Sequence, residues 1–275
     1  MAFLTPDKIR TEHGLVIKEK IIPWGAVWTK NYGSYKKGDK YKADRKLSNG
    51  TGKVQYITIH NTEDIQEAKG TNDAEQYTRA TYPNQNMGDA RVHYFIDKVD
   101  CWQNLREDEV GWHAGDGRGN GNETSIGIEI IMSGNGKKAD TDAEDRGALL
   151  AAILLDRHGL KIDRMVPHKK WSGKVCPVYI LPHWDLFVAK VEKYLKQIQN
   201  PAKPVFSPYL IKVTATGLNI RKDAGTNYPV VGLISGDALK YAYTIVEEKD
   251  GKGATKWGKL KSGAGWISLD WVKKV

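Results

Sequence analysis

With 275 residues, 40% of them hydrophobic and 27% charged, the chain has the composition of a soluble globular protein, which excludes disorder and collagen-like repeats. Its 42 basic and 33 acidic residues leave a formal charge of +9, which favours a polyanionic partner such as nucleic acid, a membrane surface or an anionic wall polymer. The most apolar run, 148–155, falls far short of the roughly 20 residues a membrane span needs, and two cysteines, Cys101 and Cys176, exclude a disulfide-rich scaffold.

The opening MAFLTPDKIRTEHG has no basic flank followed by an apolar run, so no secretory signal and a reducing cytoplasm are expected. Residues before 54 are basic and turn-rich (YKKGDKYKADRKLSNGTGK) and predict an extended arm or loops. Residues 54–60 form a strand by alternation, with Ile57 and Ile59 on the face that buries more readily, ending in His-Asn-Thr. A helix is expected over 73–82 and a strand over 92–96. A second strand over 125–132 (SIGIEIIM) is too uniformly apolar to be an edge. Thr141 and Glu144 have capping-box spacing ahead of Leu149, Leu150, Ile153 and Leu154, with Gly159 as the stop. A helix over 181–198 places Trp184, Phe187, Val188, Val191, Leu195 and Ile198 on one stripe.

Strands alternating with helices predict an α/β domain over 1–198, with a mixed central sheet flanked by helices. Three prolines, Pro201, Pro204 and Pro208, predict a semi-rigid linker over 199–208. Beyond it, short strands at 209–214, 218–221, 230–234, 239–247, 257–260 and 265–267, separated by Gly, Asp, Asn and Lys, predict a small all-β barrel or sandwich over 209–275. Residues 205–275 hold 11 Lys/Arg against 6 Asp/Glu, so this part is the more densely basic.

His60 ends a predicted strand, and His168 and Cys176 bracket a turn-rich loop, KKWSGKV. Two imidazoles and a thiolate form a three-ligand zinc set that keeps a tetrahedral position open, as catalytic zinc requires and structural zinc does not. Spacing alone does not separate this set from ordinary surface or core histidines, of which the chain has seven in all.

The segments YITIHNT (56–62), VHYFID (92–97), EVGWHAGDGRGNGNETSIGIEI (109–130) and PHKKWSGKVCP (167–177) resemble, in order and spacing, the type-2 zinc-dependent N-acetylmuramoyl-L-alanine amidases. The closest likeness is to endolysins of phages that infect Gram-positive, spore-forming bacteria, and it covers about residues 50–180. The resemblance implies one Zn²⁺ ion held by His60, His168 and Cys176, the last a position that some relatives fill with aspartate. It also implies hydrolysis of the amide between N-acetylmuramic acid and L-alanine in peptidoglycan, with Glu129 as general base and Lys174 stabilising the oxyanion. Shorter lysozyme-like relatives place a tyrosine before the histidine of the VHYF strand. Val92 stands there, which leaves Glu129 as the expected base.

A glutamate inside an apolar strand is costly unless paired or poised for chemistry, and Gly127 on the same face is expected to clear space beside it for metal or substrate. His113, in the glycine-rich WHAGDG loop, is expected to line the substrate groove. His93 reads equally as core or as support for the site, His158 as a helix-end cation, and Cys101 as a buried or half-buried free thiol; His13 and His183 carry no signal. Residues 209–275, through LNIR, the Gly-Thr-Asn-Tyr turn and the GWI…WV ending, resemble bacterial SH3-like (SH3b) modules. Tyr228, Tyr241, Tyr243, Trp257, Trp266 and Trp271 are divided there between core and ligand.

Peptidoglycan of a Gram-positive wall is therefore the expected partner, with neither nucleic acid nor membrane insertion expected. A phage or prophage endolysin would wait in the host cytoplasm before reaching the wall. A bacterial autolysin of the same activity is the alternative. A non-catalytic peptidoglycan receptor on this fold would characteristically lack the complete zinc set.

Overall fold

A computed structural model of the chain describes residues 4–31, 36–42, 46–63, 73–84, 89–134, 136–201 and 206–275. It divides into two compact units, residues 1–201 and 202–275. The predicted linker straddles the division, and its residues 202–205 lie outside the described ones, as do 35 and 43–45 of the basic N-terminal stretch.

The first unit begins with a hairpin, β1 (Lys8–Glu12) and β2 (Leu15–Glu19), turned by His13 and Gly14 at positive φ. This corrects the expectation of an arm or loops for that region. Leu15 and Ile17 alternate into the core, and β2 then adds in parallel to the main sheet. Next come β3 (Tyr56–Glu63), α1 (Asp73–Thr81), β4 (Tyr94–Ile96) and β5 (Cys101–Gln103). The short α2 (Asn120–Thr124) runs directly into β6 (Ser125–Met132), followed by α3 (Lys138–Arg157), β7 (Met165–Pro167), α4 (Lys169–Ser172) and α5 (Trp184–Gln199).

The sheet order is β1-β2-β5-β4-β6-β3-β7, with both parallel and antiparallel pairs. One face, carrying Ile57, Ile59, Ile126, Ile128, Ile130, Tyr94 and Ile96, packs with Leu150, Leu154, Phe187 and Val191 of α3 and α5. The expected stripe on α5 is the one that joins this core. The opposite face carries Phe95, Trp102 and Ile131 against Ala74 and Tyr77 of α1. Because side chains alternate across a strand, β6 puts Gly127, Glu129 and Ile131 on this second face.

The expected capping box does not cap. α3 starts at Lys138, three residues ahead of Thr141 and with no side-chain cap, and Asp140 in its first turn accepts the Ser133 and Gly136 N–H groups at 2.6 and 3.3 Å. Glu144 is instead held by His183 and Lys190, each at 2.7 Å. Gly159, at φ +62°, follows the helix end as the left-handed stop. No helix among the described residues is long and apolar enough to cross a membrane.

The second unit is a seven-stranded antiparallel sheet: β8 (Tyr209–Val213), β9 (Gly217–Arg221), β10 (Val230–Ser235), β11 (Tyr243–Gly251), β12 (Ala254–Leu260), β13 (Trp266–Ser268) and β14 (Val272–Lys274). Their order is β10-β9-β13-β12-β11-β8-β14. Ile211, Val213, Leu218, Ile234, Ile245, Leu260 and Ile267 form its core, with Trp257 and Trp266 in a smaller cluster. Tyr228, Tyr241 and Trp271 are exposed. The single strand expected over 239–247 is a 3-10 turn, Gly236–Lys240, followed by β11.

Candidate active site

The site is built by sheet register. β3 lies between β6 and β7, parallel to both, so His60 pairs with Glu129 on one side while Ile59 pairs with Pro167 on the other. The N–H of His168 then donates to the Ile59 carbonyl at 3.1 Å, carrying the β7 chain one residue further alongside His60. Two histidines 108 positions apart in sequence thus become neighbours. Cys176 returns to them because α4 ends at Gly173, at φ +76°, and the Lys169 N–H donates to the Cys176 carbonyl at 2.9 Å, closing the loop.

These three residues are buried, His60 at 1% exposure and both His168 and Cys176 at 5%. Their donor atoms all lie within 4.8 Å of one another, the one such group of three found among the described residues. The Nδ1 atoms of His60 and His168 are 3.0 Å apart, and the Cys176 Sγ is 3.9 Å from the same His60 nitrogen. His168 Nε2 faces the Ala114 carbonyl at 2.8 Å. A carbonyl can only accept, so that nitrogen carries the proton and Nδ1 offers a bare lone pair to the cluster.

Burial, reinforced by His113, His168 and Lys174, holds His60 well below the usual histidine range. Burial also lowers His168, against its bond to Ala114, so both rings are neutral. Burial pushes the Cys176 thiol up to about 11, and a cation is what would draw off its proton. Converging neutral imidazoles and a sulfur suit a divalent, borderline-soft ion, and a set of three leaves room for water or substrate. The residues fit zinc.

The cluster opens into a cavity of about 660 Å³ whose lining includes Thr62, Arg91, Trp112, His113, Glu129 and Lys174. Glu129 Oε1 is 3.8 Å from His60 Nδ1. Burial raises its carboxyl to about 7, against the opposing effects of the Thr62 hydrogen bond and the Lys174 charge. Thr62 donates its hydroxyl to Glu129 Oε2. Lys174 stands exposed at the rim. The structure therefore brings together His60, His168, Cys176, Glu129, Lys174 and His113 around one space.

Gly127 does not clear room for substrate: a Cβ there would lie 2.8 Å from the His113 ring and 2.9 Å from Val92. His93 is fully buried, with Nε2 2.8 Å from the Glu109 carbonyl and Nδ1 accepting the Gly127 N–H at 3.1 Å. His158 and His183 pair with Glu107 and Glu144, each at 2.7 Å, and Cys101 is a buried free thiol.

Three contributors escaped the sequence reading. Thr62 anchors Glu129. Asn61 accepts the N–H groups of Tyr179 and Ile180 at 3.0 and 3.2 Å, tying down the chain just beyond Cys176. Asn122 accepts the N–H groups of His113 and Ala114, both at 2.8 Å. Asn61 and Thr62 follow His60 directly on its strand, and that adjacency was the available signal.

Residues 50–179 match the family described as N-acetylmuramoyl-L-alanine amidase (Amidase_2). Among curated relatives, the chain is 42% identical over 136 residues to the N-acetylmuramoyl-L-alanine amidase CwlH of Bacillus subtilis, covering 48% of this chain and 51% of that one. It is 38% identical over 136 residues to the amidase XlyA of the same organism, covering 50% and 43%. It thus spans about half the length of these relatives or less. The solved catalytic domain of XlyA is 33% identical, with 64% of this chain and 98% of that one covered at a TM-score of 0.49. The histidine-, cysteine- and glutamate-bearing segments all fall inside the matched residues, and through them residues 50–179 belong to the Amidase_2 family of N-acetylmuramoyl-L-alanine amidases.

Proposed function

We propose that the chain hydrolyses the amide between the lactyl group of N-acetylmuramic acid and L-alanine in bacterial peptidoglycan. The observation that carries this reading is the buried His60–His168–Cys176 donor set opening onto a cavity with Glu129 beside it. Family membership and the names of the curated relatives point the same way. His60, His168 and Cys176 would hold one zinc ion, which when bound polarises a carbonyl and acidifies water.

Glu129, paired with His60 across the sheet and fixed by Thr62, accepts a proton from water and returns it to the leaving amine. Lys174 at the rim supplies positive charge toward the carbonyl oxygen as negative charge builds there. The second unit acts as an SH3-like wall-binding module, its exposed Tyr228, Tyr241 and Trp271 and its excess of lysine suiting sugar faces and anionic polymer. In cellular terms this is a phage or prophage endolysin that lyses a Gram-positive host.

The test is to incubate purified wall with the protein, with and without a chelator, and identify the groups released. New L-alanine amino termini that disappear with chelator and return with zinc are expected. New reducing sugar ends would make the protein a glycosidase, and release indifferent to chelator would remove the metal.

A further inference from the structure

His113 borders the cavity, yet both nitrogens of its ring are engaged by the protein. Its Nε2 lies 3.4 Å from the Ser125 carbonyl, and its Nδ1 lies 3.0 Å from Nε2 of His60. Since a carbonyl only accepts, the His113 proton sits on Nε2 and a lone pair points at His60. His60 must then donate its Nε2–H, which leaves bare the Nδ1 that faces His168 and Cys176.

The surroundings are shaped to seat this ring. A Cβ at Gly127 would lie 2.8 Å from its Cγ and Nδ1, and one at Gly111 would lie 2.9 Å from its Cδ2. Asn122 Oδ1 accepts the backbone N–H groups of His113 and Ala114, on either side of the His113 α-carbon. His93 is locked by Glu109 and Gly127, so it offers His113 no competing proton.

We propose that His113 is a positioning residue which fixes the tautomer of His60, holding its proton on Nε2 so that Nδ1 faces the metal position. Resting on the metal-site reading above, this gives Gly111, Gly127 and Asn122 a shared purpose and moves His113 from substrate contact to control of a ligand.

The test uses the full chain with His113→Phe, His113→Asn and His113→Gln. Zinc affinity is measured by competition with a chromophoric chelator, and the His60 tautomer by nitrogen-15 NMR of the metal-free protein. His113→Phe should weaken zinc binding about 10–100-fold. His113→Asn, whose Oδ1 replaces the ring Nδ1 as acceptor, should recover most of it, and His113→Gln should not. Metal-free wild type should show the His60 proton on Nε2.

A proton on Nδ1, undiminished zinc binding by His113→Phe, or Asn recovering no more than Gln would overturn the assignment. Should His113→Phe not fold, the wild-type tautomer and the Asn–Gln contrast decide. Wild type that binds no zinc would overturn the metal-site reading instead, and the two failures are distinct because the tautomer is read without metal.

Discussion

Glu129 shares one rung of the sheet with His60 on β3 and Phe95 on β4, so its carboxylate is presented by strand register rather than by a loop. Glu129→Gln keeps the shape and removes the base. It should leave zinc affinity within a few-fold and lower release of L-alanine amino termini by about 10²–10⁴-fold, read by amine labelling beside metal titration. Unchanged turnover would exclude Glu129 from proton transfer. That His60, His168, Cys176, Glu129 and Lys174 gather around one cavity was legible in the sequence only through the resemblance of their segments to a known family, since spacing alone did not single them out. Thr62, Asn61 and Asn122 were not, because a hydroxyl or amide acquires meaning only through the partner that folding places 67, 118 or 9 positions away.

Among the elements, the hairpin is clasped to the end of α3 by charge. Glu107 receives Tyr94 OH at 2.5 Å, His158 at 2.7 Å and the Arg157 guanidinium, which also reaches Glu12, while Arg10 pairs with Glu12 and Glu19. Burial alone would raise the Glu107 carboxyl, but the His158 and Tyr94 hydrogen bonds and the Arg157 charge outweigh it and hold the group at about 2. A depressed carboxyl stabilises the fold above its unfolded value near 4.5, and the contribution is lost as pH falls toward 2. Glu107→Gln should therefore lose up to about 3 kcal/mol at pH 7 and show a flatter stability profile between pH 4.5 and 2, measured by urea unfolding. A parallel profile for variant and wild type would refute the clasp. The periodic elements, α5 and β6 above all, could be read from sequence because one apolar face dominates them. The β1–β2 hairpin could not: each strand is only five residues long, and Ile9 in β1 and Val16 in β2 are apolar yet exposed, so apolar residues do not mark one buried face.

For the whole molecule, two units with separate cores predict a division of labour. Residues 1–201 alone should cleave a soluble muramoyl-peptide within a few-fold of the full chain, yet sediment less with intact wall and clear it more slowly. Equal wall binding by the shortened chain would deny the second unit its anchoring role. The parallel seating of β3 between β6 and β7 has a further consequence for how such a protein can change. His60 and His168 are aligned by strand neighbours, so the 107 residues between them can absorb insertions at the loops without disturbing the pair. Cys176 hangs from a short loop latched at Lys169, where adding or losing a single residue would carry the sulfur away. Tolerance to length variation is therefore concentrated in one stretch of the chain and nearly absent from another, though both serve the same cluster of three donor atoms.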